Sequence, residues 1–146
     1  MENTGLEDFD VTMMHRSYFM IVTAIGEGGI GLVLLILPSV PIALLLGIDQ
    51  ALPETIFVAR LAGAALLAIG VACWLARYDP GRSAPLGLLT GVLIYDVSAA
   101  TLLAYAALVL SMVGLVLWPA VVLHAVLGIW CIVCLAAKRS VTMGER

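Results

Sequence analysis

Charge is what this chain has least of. Asp, Glu, Lys and Arg make up 12% of its 146 residues, where a soluble domain carries about a quarter. The net charge is only -3, and no basic run exists to track a phosphate backbone, which excludes a nucleic-acid partner. Cysteine is sparse and odd in number: Cys73, Cys131 and Cys134, all inside apolar runs. That argues against a secreted disulfide framework. The opening stretch "MENTGLEDFDVTMMHR" is acidic where a signal peptide is basic, so the apolar run after it is expected to stay as a helix. Cofactor motifs, internal repeats, low-complexity tracts and a separate soluble domain are also missing.

In place of charge there is apolar length. Hydrophobic residues reach 63%, and the mean hydropathy is +1.14. Spanning a hydrocarbon core takes about 20 apolar residues. Four runs qualify: residues 17–37, 56–76, 86–110 and about 115–137, the last starting between Val113 and Pro119. The expected fold is an all-α, four-helix transmembrane bundle forming one membrane domain. Pro119 reads best as an early helical residue, where its missing N–H costs little. Trp118 then sits at an interface, where indoles prefer to be. The leftover piece "PSVPIALLLGID", residues 38–49, is too short to span and reads as an interfacial or re-entrant segment. The two tails, too short to fold alone, are expected to be solvated.

Topology follows from the basic residues. Arg16, Arg77, Arg82, Lys138, Arg139 and Arg146 fall on the side of the two termini, while the opposite loops hold only Asp49 and Glu54. Basic loops face the cytoplasm. The chain is therefore expected in the plasma (inner) membrane, multi-pass, with both termini cytoplasmic. Tyr18, Trp74 and Tyr78 suit an aromatic belt on that side.

One ionisable group remains inside each span: Glu27, Arg60, Asp96 and His124. Such groups face the bundle interior, pair with one another and mark function by default. By helical rise Glu27 stands about 15 Å from the end of its helix, near the midplane. All four sit on small-residue faces: Thr23–Glu27–Gly31, Arg60–Gly63–Ala64, Asp96–Ala99–Ala100 and Ala120–His124–Gly128–Cys131. Small residues let membrane helices approach closely. Arg60 is the expected counter-ion of Glu27, a pair that reads either as pure architecture or as part of a ligand or proton site. A metal held by Glu27, Asp96 and His124 is set aside, because no ligand spacing within one helix supports it and a facing Arg60 opposes a cation. His124 lacks a second histidine for haem. Cys131 and Cys134 form C-x-x-C but read as small packing residues. Tyr95 and Tyr105 either line a site or anchor at an interface.

At "RLAGAALLAIGVACWLAR", Arg60 to Arg77, an arginine at a helix start is followed by spaced small residues and an apolar run. This resembles the DoxX-like group of small bacterial four-helix membrane proteins. The group's namesake is similar to a small subunit of a thiosulfate:quinone oxidoreductase, so the resemblance implies an accessory role beside a redox enzyme. It transfers no catalytic residue. The expected function is non-catalytic: an accessory or stabilising subunit of a larger membrane complex, with the lipid bilayer and other subunits or a second copy as partners. The alternative is a small proton-linked transporter, or a binder of a hydrophobic ligand such as a quinone or lipid, that uses Glu27, Arg60, Asp96, His124, Tyr95 and Tyr105. No cofactor is expected.

Overall fold

The computed structural model describes residues 4–78 and 84–143, with side-chain surroundings for 13–78 and 86–136. Among the described residues there are five α-helices and no strand: α1 (Thr4–Ile36), α2 (Ser39–Leu46), α3 (Pro53–Ala76), α4 (Ala84–Leu108) and α5 (Leu117–Met143). Four are long and apolar enough to cross a membrane, over Met13–Ile36, Pro53–Ala76, Leu86–Leu108 and Leu117–Ala136. These match the expected spans to within a few residues. Phe57, Leu61, Ile94, Leu102 and Ile129 face outward, which suggests lipid contact, since helices apolar all round are not stable against water.

Helix ends follow local chemistry. Pro53 opens α3 with Glu54 in its first turn, where a missing N–H and a negative charge are both tolerated or favoured. Pro119 is in the first turn of α5, and Trp118 beside it is exposed. The leftover apolar piece is the short helix α2. It follows Pro38 and ends at Gly47, whose φ of 71° is left-handed and whose N–H donates to the Ala43 carbonyl, a common helix stop. The tails differ from expectation: residues 4–12 and 138–143 continue α1 and α5. Once a span is helical, each added residue gains a hydrogen bond without a new nucleation cost.

Packing is by pairs. α1 lies mainly against α3, and α4 mainly against α5. Glycine makes the first pair close. A Cβ on Gly63 would stand 2.7 Å from the Gly31 carbonyl oxygen, and one on Gly70 would stand 2.7 Å from the Gly28 nitrogen. The buried face of α3 is Gly63, Leu66, Gly70 and Cys73, at the three- and four-residue spacing of one helix face. The two pairs meet in an apolar core of Phe19, Met20, Ala24, Cys73, Leu89, Val92, Leu127, Cys131 and Cys134, toward the end that carries the termini. Cys131 and Cys134 act there as packing residues, and the Cys131 thiol donates to the Leu89 carbonyl at 3.2 Å. At the far end α2 is tied to the α4–α5 connection. The Val116 N–H donates to the Leu44 carbonyl at 3.0 Å, and a Cβ on Gly114 would fall on the Leu45 carbonyl.

Candidate functional site

Antiparallel register sets the levels. Arg16 of α1 reaches the Cys134 carbonyl of α5, and Phe19 packs edge-on against Trp130 with ring centroids 5.5 Å apart. Following the two helices upward brings Glu27 level with His124. α4 and α5 are paired likewise, from Leu89 against Cys131 to Asp96 against His124. Glu27, Asp96 and His124 therefore converge just beyond the apolar core, in the seam between the two helix pairs. One ligand-capable atom from each lies within 4.8 Å of the others.

Within this cluster His124 Nδ1 is 2.9 Å from Asp96 Oδ1. Tyr95 sets its ring edge-on to His124, with centroids 5.4 Å apart at 85°. Glu27 is 4% exposed and Asp96 1%, whereas the His124 side chain keeps 13%. The histidine edge is thus the open side of the cluster. Glu27 Oε2, Asp96 Oδ2 and Thr23 Oγ1, one turn before Glu27, are buried without a hydrogen-bond partner.

Of the six expected site residues the structure gathers four: Glu27, Asp96, His124 and Tyr95. Arg60 is elsewhere. The Gly31–Gly63 and Gly28–Gly70 contacts set it level with Leu34 to Pro38, about 10–16 Å along the axis from Glu27. It is exposed on the outer surface of α3, as is Ala64, so the expected Glu27–Arg60 pair is absent. The physical reason is that the glycine face of α3 turns to α1, and an arginine's long stem lets its charge reach toward an interface. Tyr105 is 50% exposed and about 14 Å further along α4 than Asp96. A cavity of about 470 Å³ lies between α1, α2, α3 and α4, lined by Leu34, Ile42, Val58 and Leu103 with Glu54 and Thr55 as polar edges. None of the cluster side chains lines it.

Two features escaped sequence reasoning. Arg16, expected as a cytoplasmic boundary charge, is 2% exposed, and its Nε and Nη2 both donate to the Cys134 carbonyl, at 3.0 and 2.7 Å. Thr23 was placed on the right face but not as an unpaired donor. The signal for Arg16 was present: Arg16, Met20, Thr23 and Glu27 repeat at three- and four-residue spacing. Arg77, by contrast, is a surface residue stacked over Trp74 at 3.2 Å from the ring centroid, and Tyr18 and Tyr78 beside that end are exposed. Arg82 and Arg146 lie outside the described residues, as do the side chains of Lys138 and Arg139. The chain matches no protein-family model, no curated protein and no solved structure.

Proposed function

We propose that the chain is a small multi-pass carrier of the inner membrane, with both termini cytoplasmic, and that its working site is the Glu27–Asp96–His124 cluster, loaded and unloaded by protons. The observation that carries this reading is three ionisable side chains from α1, α4 and α5 in one buried seam, with Arg16 bonded to a carbonyl and Arg60 turned outward. Charges are costly to bury unpaired, and in spans such groups mark ion and proton routes. A proton on Glu27 Oε2 or Asp96 Oδ2 cancels a charge at an oxygen that has no other partner. His124, hydrogen-bonded to Asp96 and alone in keeping an open edge, is the group through which a proton enters. Tyr95 packs edge-on against the imidazole and steadies it.

A pH step applied to proteoliposomes on a solid-supported membrane tests the reading. Proton entry into a buried site displaces charge, so a transient current is expected from the wild type, abolished by Glu27→Gln and reduced by His124→Gln. A wild-type signal equal to that of protein-free liposomes overturns it.

The accessory-subunit reading has one observation of its own. α3 and α4 touch each other little and leave Phe57, Val58, Leu61, Ile94 and Leu102 exposed, a surface that another membrane subunit would cover as well as lipid does. Native mass spectrometry after mild extraction decides it: larger subunits in fixed ratio support an accessory role, and a lone chain or homodimer removes it.

A further inference from the structure

Among the described residues the buried side-chain oxygens and nitrogens without a partner are Thr23 Oγ1, Glu27 Oε2 and Asp96 Oδ2. Buried polar atoms are hydrogen-bonded as a rule, so the unpaired carboxylate oxygens of Glu27 and Asp96, side by side in one seam, call for a guest that satisfies both at once. Threonines elsewhere show the ordinary solution: Thr90 donates to the Leu86 carbonyl at 2.9 Å and Thr101 to the Val97 carbonyl at 2.7 Å. Thr23, on the cluster face, makes no such bond.

The donors define the guest. Glu27, Asp96 and His124 each bring a ligand-capable atom within 4.8 Å of the other two. Ligands bound to one small metal ion at about 2.0–2.2 Å stand about 3–4 Å apart, so side-chain adjustments of about an ångström close the set. Two carboxylates are balanced by a dication, which leaves a neutral buried site where a monovalent ion would leave net charge. The imidazole nitrogen selects against Mg²⁺ and Ca²⁺, which prefer all-oxygen shells, and toward ions such as Zn²⁺. Both earlier objections lapse: Arg60 does not face the cluster, and the ligands come from three helices, so spacing within one helix is irrelevant.

We propose that Glu27, Asp96 and His124 bind a divalent first-row transition ion. The proposal rests on the reading of this cluster as the working site and names the class of ion carried there. Metal ligation uses the neutral imidazole and the ionised carboxylates. No bond other than the coordination bonds forms, and no electron moves.

The test is equilibrium dialysis of the purified, chelator-stripped full chain in detergent against micromolar Zn²⁺, with Mg²⁺ as control and bound metal read by mass spectrometry. The expected result is one Zn²⁺ per chain, no Mg²⁺, and at least a tenfold loss of affinity in Glu27→Gln, Asp96→Asn and His124→Gln. Helical circular dichroism and the size-exclusion profile establish that each variant is folded. Co²⁺ in place of Zn²⁺ supplies a readout on the wild type alone. Oxygen and nitrogen ligation gives only weak visible bands, whereas an intense near-ultraviolet thiolate band means that cysteines hold the ion and overturns the proposal. Zn²⁺ binding that survives in all three variants overturns it too. A wild type that binds no Zn²⁺ but still gives the pH-step current overturns the metal and leaves the proton reading standing; neither signal overturns both.

Discussion

Arg16 is the side chain that joins the first helix to the last, and its removal should be felt throughout the terminal half of the bundle. Its two hydrogen bonds to the Cys134 carbonyl are of the charged kind, worth about 1.5–3 kcal/mol. Arg16→Met is expected to lower stability by about that amount, seen as a lower Tm in detergent. Arg16→Lys should recover only part, because an ammonium lacks the planar fork. Equal Tm values for wild type and Arg16→Met would remove this role. At the cluster, a double-mutant cycle on Asp96→Asn and His124→Gln should show clear coupling, as expected for contacting residues. The cycle on Glu27→Gln and Arg60→Gln should be additive within about 0.5 kcal/mol, and coupling beyond that would restore the ion pair that the fold lacks. Glu27, Asp96 and His124 were legible in the sequence because ionisable groups stand out in apolar spans. The role of Arg60 was not, since its direction depends on which face of α3 meets α1, and glycines at 63 and 70 decide that without leaving a charge pattern to read.

Helices α1 and α3 owe their closeness to positions where even a methyl group has no room. Gly63→Ala or Gly70→Ala is expected to cost about 1–3 kcal/mol, the usual range for overpacking. Gly26 and Gly29 meet nothing within 4 Å of an added Cβ, so alanine there should be neutral or stabilising by up to about 1 kcal/mol through helix propensity. Thermal unfolding of the four variants side by side checks the contrast, and equal losses would mean that the glycines act through chain flexibility instead. The Thr23–Glu27–Gly31 face was legible as a place where a helix can approach, but which glycines of α1 touch a neighbour was not. The sequence also marks α2 only as too short to span. Its helical form and its bond to Val116 depend on the returning loop, which no local pattern encodes.

Across the whole molecule, the four spans and their order were plain from hydropathy alone, while the pairing of α1 with α3 and α4 with α5 was not, because it is written in side-chain volume rather than polarity. The proposed orientation predicts that a fluorescent protein fused after Arg146 lights up and that alkaline phosphatase fused at Asp49 is active; the reverse pattern would invert the topology. The cluster also has a bearing on how the chain is made. Its side chains come from α1, α4 and α5, so in the proposed membrane protein Glu27 would enter the bilayer well before Asp96 and His124 have left the ribosome. A charged residue at the centre of an inserting helix costs about 2.5–3.5 kcal/mol, which the leucines, isoleucines and valines of α1 must outweigh by themselves at about 0.3–0.6 kcal/mol each. On the proposed reading, the apolar excess of α1 serves insertion before it serves packing. A ribosome stalled after α3 should hold a nascent chain whose glutamate still awaits its neighbours, and the polar seam closes only once α5 has emerged.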